Sequence, residues 1–400
     1  MRLLRDTVGG LPRTFWAIFA ALLVNRVGAF GMLLLPTYLT TVRGTSLAVA
    51  GIVTSAYGAG GGVGVLLGGV LADRWGRRKS YLAGTITAAI VMLGIAFARP
   101  VWLIAALALV LGAAHLLPSA PMVAAIVDVT PAKDRSRAFN LQFWAFNMGT
   151  AVAAAIAGVV AEFSFFALFA ADAAMTAVTA VLVWFFVPET KPLRVNNSGG
   201  LRVVVRDRVF LTFVGLTGVL AFLTVQGQST LQLSMASDGL RPSVFGLILS
   251  VSGAMIVFGQ LFVPRLIRGH RHAVVLATAL ILASTGYAVI ALANAAWVYL
   301  AAAVIWTVGG MMAAPANASI NAELSPVEMR GRYQAIFNFV FPLSSFLGPA
   351  LGGWSLERLG AWHWVLCGVL GIGAAAGHLA SARTRERHAV ARAQELVYQP

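Results

Sequence analysis

Twelve apolar runs, each long enough to cross a bilayer as a helix, follow one another along the chain. They lie at about 14–40, 46–71, 80–98, 101–127, 138–161, 164–187, 209–234, 243–264, 273–293, 297–322, 333–355 and 361–382. A spanning helix needs about 20 apolar residues. Runs this long must be helical, because hydrocarbon offers nothing to bond an open backbone. Of the 400 residues, 59% are hydrophobic and 11% charged. Soluble proteins carry about 25% charged residues, so this chain cannot cover a water-facing surface and its principal partner is the lipid bilayer. Its formal charge of +15 does not point to nucleic acid, because the basic residues sit in short loops between spans.

Those loops set the expected topology. Beyond the spans, one face holds only Arg43, Arg99, Arg241 and Arg358, and the other face holds all the remaining Lys and Arg except Arg26. The positive-inside rule then places both termini and the central loop in the cytoplasm. The N-terminus resembles a signal-peptide start, but the apolar stretch after Arg13 is too long for an h-region and reads as an uncleaved first span. The lone cysteine, Cys367, excludes an intramolecular disulfide.

The sequence repeats at one offset, 195 residues. Gly51, Gly58 and Gly64 recur as Gly246, Gly253 and Gly259, and Trp102 as Trp297. Pro131, Arg135 and Arg137 recur as Pro326, Arg330 and Arg332; Gly158 and Glu162 recur as Gly353 and Glu357. The expected fold is therefore an all-α membrane protein with twelve transmembrane helices in two pseudo-symmetric six-helix bundles. The domains are 1–187, a cytoplasmic linker 188–208 around Asn196-Asn-Ser-Gly-Gly200, and 209–400.

Between the second and third spans runs Gly69-Val-Leu-Ala-Asp-Arg-Trp-Gly-Arg-Arg78. It resembles the loop signature of the major facilitator superfamily, Gly-x-x-x-Asp-Arg/Lys-x-Gly-Arg-Arg/Lys. The resemblance covers essentially the whole chain and implies alternating access, with spans 2, 5, 8 and 11 as the seam between halves and spans 1, 4, 7 and 10 lining a cavity. It also implies a cytoplasmic gate of Gly69, Asp73, Arg74, Gly76, Arg77, Arg78, Asp128 and Arg135. In that gate Asp73 faces the start of the eleventh span, where the helix dipole favours an anion, and Arg77 reaches Asp128.

Arg26 and Asp172 sit well inside spans, and an intramembrane charge is expensive enough to suggest function. Arg26 is a candidate for binding an anionic group, Asp172 for carrying a proton, or the two pair as a structural bridge. Further candidates for substrate or proton coupling are Asn25, Phe30, His115, Gln226, Trp306 and Asn317, with His115 able to titrate near neutrality. Two features depart from proton-driven exporters. The helix-4 Arg of those proteins falls at Ala108, and their helix-5 glycine motif appears instead as Gly348-Pro-Ala-Leu-Gly-Gly353 in span 11.

No phosphate-binding loop or metal-ligand spacing is present, so no enzyme activity and no cofactor are expected. The expected function is secondary active transport of a small-molecule substrate: proton-coupled efflux of amphipathic, drug-like compounds through an apolar, aromatic- and Met-containing interior. The alternatives are a proton-coupled transporter of a specific anionic metabolite held by Arg26, and a lipid mover or non-transporting sensor. Ala/Gly/Arg/Val-rich usage suggests a bacterium, hence the inner membrane. A monomer is expected, since one chain holds both halves.

Overall fold

A computed structural model describes residues 10–189, 202–260, 262–326 and 329–388. Among them there is no strand. Eleven helices are long and apolar enough to cross a membrane, Leu47–Trp75 being the first and Trp362–Ala380 the last. They correspond to the expected second to twelfth spans, one for one. Most of the linker, including 196–200, lies outside the described residues.

The first span departs from expectation. It is not one helix over 14–40 but two, Arg13–Val27 and Leu35–Thr41, separated by irregular backbone. The two glycines at the break allow a close approach. A β-carbon on Gly28 would collide with that of Met175, and one on Gly31 would stand 2.8 Å from the Phe169 ring. The break is thus pressed against the sixth span. Irregular backbone at membrane depth is tolerated only where protein satisfies it, and here Gly31 N–H donates to Asp172 Oδ2 at 2.8 Å. The fourth span also breaks, into Val101–Leu116 and Ser119–Val129, at Pro118. The eighth ends earlier than expected, at Gly259, and a short helix Val263–Leu266 follows.

The halves meet where the glycines are. The second span lies along the eleventh and the fifth along the eighth. Gly51 touches Gly353, and Gly158 touches Gly246. Each contact is the other displaced by the sequence repeat, so the internal homology is expressed as two equivalent crossings. Only small residues let backbones come this close: a β-carbon on Gly51 would overlap the Pro349 carbonyl oxygen. Exposed rings mark the membrane boundaries. Trp102 and its repeat mate Trp297 are 72% and 70% exposed at one face, while Trp75 and Trp184 are exposed at the other.

The seam is shut at one end only. Among the described residues, the side-chain hydrogen bonds that cross it lie in the half away from the termini or near mid-depth. Gln232 of the seventh span (Arg208–Ser237) accepts from the Thr37 hydroxyl at 2.7 Å and donates to the Leu33 carbonyl at 2.7 Å. Ala48 N–H donates to Glu357 at 2.8 Å, Ala350 N–H to Ser55 Oγ at 2.8 Å, and the Ser250 hydroxyl to the Ala151 carbonyl at 2.8 Å. On the face of the second span that carries Gly51, Gly62 and Gly69 come roughly three and five turns further on. They look into open space, with nothing within 4 Å of where a side chain would begin.

Candidate functional site

Arg26 ends the first half of the broken span. A cation there complements the helix's negative end, which offsets part of the cost of its burial. Its guanidinium lies over the Phe146 ring, 4.2 Å from the centroid, on the fifth span (Arg135–Phe163). One turn on is Gly149, where a β-carbon would be 2.6 Å from that of Arg26. Phe146 and Gly149 therefore form a platform and a notch for one side chain. Among the described residues Arg26 makes no ion pair, and its buried Nε has no hydrogen-bond partner. The titratable groups that its charge reaches are Tyr57, Tyr81 and His115, all neutral or near-neutral types. The Tyr57 hydroxyl is 3.3 Å from His115 Nδ1, and the rings meet edge-on. Arg26, Tyr57 and His115 are half-buried, Phe146 exposed. Four different spans of the first half contribute to this group.

Asp172 is placed otherwise. It is 1% exposed, and its carboxylate accepts from Gly31 N–H and, at 3.3 Å, from the Thr176 hydroxyl. It does not pair with Arg26. Its carboxylate serves the broken backbone of span 1.

The remaining candidates scatter. Asn25 is half-buried beside Arg26, and Phe30 is core, 5% exposed. Gln226, fully buried, donates to the Gly348 carbonyl at 3.0 Å and accepts from the Thr230 hydroxyl, tying the seventh span to the eleventh. Asn317 accepts from the Thr217 hydroxyl at 3.1 Å. Trp306 stacks on Tyr287 with centroids 5.0 Å apart, and Tyr287 stacks in turn on Trp364. The sequence reading missed Tyr57, Phe146 and Gly149, whose roles come from packing. It also missed Thr37 and Gln232, although these two stand at the same 195-residue offset as the glycines.

The loop signature binds within one half. Gly76 turns the chain at φ +101°, a left-handed value suited to glycine. Glu189 accepts from the N–H groups of Arg78 and Lys79, both at 3.1 Å, and so caps the third span, Arg77–Phe97. Arg77 lies 3.2 Å from Asp73 and 3.5 Å from Asp128. Arg78 donates to the Trp184 carbonyl and stacks on its ring, and Arg135 donates to the Thr130 and Val127 carbonyls at the end of the fourth span. Asp73, expected to face the start of the eleventh span, is 74% exposed at its side chain, and its ion-pair partner among the described residues is Arg77.

Among the described residues, eleven membrane-length helices and a broken first span meet along glycine-lined crossings held by hydrogen bonds at one end, an architecture of membrane transporters. The sequence model of the Major Facilitator Superfamily matches residues 15–314 and 218–396, and the chain belongs to that superfamily. It is 28% identical over 369 residues to the uncharacterized MFS-type transporter YttB of Bacillus subtilis (strain 168), covering 89% of this chain and 91% of that protein. It is 23% identical to the multidrug resistance protein MdtH of Cronobacter sakazakii (strain ATCC BAA-894), covering 77% and 79%. Identity is also 23% to a Na(+), Li(+), K(+)/H(+) antiporter of Planococcus maritimus, covering 71% and 76%. The fold is shared with a POT family transporter crystallised with 5-aminolevulinic acid, at TM-score 0.80, 15% identity and coverage of 94% and 98%.

Proposed function

We propose that this protein is a secondary active transporter that exports amphipathic compounds from a bacterial cytoplasm by alternating access, driven by proton entry. The observation that carries the reading is the half-buried group of Arg26, Tyr57 and His115 beside Phe146. It combines a fixed charge, a titratable ring and an aromatic face, contributed by four spans of one half. With the termini in the cytoplasm, the seam stands open inward and sealed outward, the state in which an exporter would load. The likeness to MdtH supports export of drug-like compounds, and the likeness to a cation/H(+) antiporter supports proton coupling.

His115 is the better-placed proton carrier. Among the described residues its hydrogen-bond partner is the Tyr57 hydroxyl, whereas the Asp172 carboxylate is held by donors. An imidazole can take up a proton from the outer face and hand it on to the inner one.

The test is proton flux in proteoliposomes carrying a pH dye, with lipophilic cations, neutral drugs and small anions added in turn. Substrate-triggered flux is expected in the parent and in Asp172→Asn, and lost in His115→Gln. Binding without flux from any class would leave a facilitator or a sensor.

A further inference from the structure

We infer that Arg26 seats an anionic group of the substrate, with Phe146 beneath it and Tyr57 and His115 alongside. This rests on the transport reading above and narrows it to amphipathic molecules that carry a carboxylate, sulfonate or phosphate beside an apolar body.

A guanidinium stacked on an aromatic ring uses its face, which leaves the N–H donors pointing outward in its plane. That is the geometry which meets a carboxylate or phosphate edge-on with two parallel bonds. At Arg26 the guanidinium carbon lies over the Phe146 ring, 4.2 Å from its centroid. The edge is not so engaged: its Nε has no partner, and no carboxylate lies within ion-pair distance among the described residues. Among the described residues of the same half, the buried acid Asp172 is committed to Gly31 N–H and Thr176. The helix end behind Arg26 compensates about half a charge. The remaining positive charge, half-buried beside an apolar ring, is poorly hydrated and favours an anion supplied from outside the protein.

The surroundings fit the two ends of such a molecule. Gly149 lets the first and fifth spans close on the Arg26 side chain, fixing the guanidinium against Phe146. The Tyr57 hydroxyl and the His115 ring flank it as hydrogen-bonding groups that bring no competing negative charge. A cationic head would meet like charge here with nothing to balance it.

The experiment uses purified full-length protein and probes that differ in the head group. 1-Naphthoate and octanesulfonate carry an anion, 1-naphthamide is neutral and 1-naphthylmethylammonium is cationic. Binding is read as a concentration-dependent rise in the thermal unfolding midpoint. At least one anionic probe should bind saturably, and at least tenfold more tightly than the amide or the ammonium. Arg26→Gln should weaken anion binding at least tenfold and leave the amide unchanged, and Arg26→Lys should restore part of the loss. Tyr57→Phe and Phe146→Leu, which keep the charge, should cost about threefold each. The inference is overturned if neither anion binds, if the amide binds as well as naphthoate, or if a folded Arg26→Gln binds anions as the parent does. Failure of the transport reading is separable. Arg26-dependent anion binding without movement into proteoliposomes would retain the anion site and remove transport. Movement of the ammonium probe without anion binding would do the opposite.

Discussion

Arg26 and Asp172 are both charges that hydrocarbon should forbid, and the protein answers their cost differently. Asp172 receives N–H and O–H donors from the broken first span and its own helix. Asp172→Ala would strand the Gly31 N–H, a loss of about 1–3 kcal/mol, seen as a lowered unfolding midpoint of the purified protein. Asp172→Asn keeps a carbonyl acceptor and should lower it less; equal losses would mean that charge, not the hydrogen bond, matters there. His115 makes a functional prediction. Transport by the parent should fall as the outer pH rises, since the carrier then loads fewer protons. His115→Gln should abolish that dependence. At this scale the sequence showed which residues were unusual, because charge in an apolar run is visible. It did not show that Asp172 serves a backbone break. The broken segment packs through Gly28 and Gly31 against Met175 and Phe169, and Gly31 and Asp172 are themselves 141 positions apart.

Helices were the most legible level. Apolar length and glycine placement located the second to twelfth spans and the seam, because both are written in local composition. The first span was the main exception, beside the break at Pro118 in the fourth and the early end of the eighth at Gly259. Its hydropathy runs unbroken while its backbone does not, and only tertiary contact decides that. The glycine faces yield a paired prediction. Gly51→Ala drives a methyl into the Pro349 carbonyl and should cost about 1–3 kcal/mol through overpacking. Gly62→Ala, on the same face but in open space, should leave the unfolding midpoint of the sealed state unchanged. It should nonetheless slow transport, because that face must close in the other half of the cycle. If Gly62→Ala transports at the parent rate, the faces do not exchange.

The whole molecule is two similar halves with contacts concentrated at one mouth. Thr37 and Gln232, positions related by the sequence repeat, bond across the pseudo-twofold axis, and Gln232 also grips the Leu33 carbonyl just past the break. The closed mouth and the broken span are thereby one unit. Gln232→Ala removes these bonds and should shift the population toward opening at that mouth by roughly tenfold, for a loss of about 1.4 kcal/mol. Thiol-reactive labelling of a cysteine placed at exposed Val42 measures it. The central claim is that the two mouths open alternately, and its most direct measurement is a pair of spin-label distances in a Cys367→Ala background. One pair, Val70→Cys with Ala335→Cys, spans the mouth near the termini; the other, Val42→Cys with Leu359→Cys, spans the opposite one. Lowering the pH or adding a transported probe should lengthen one distance while shortening the other, with Gln232→Ala favouring the long state at Val42–Leu359. Distances that stay fixed under every condition, or that change in the same direction, would contradict alternating access.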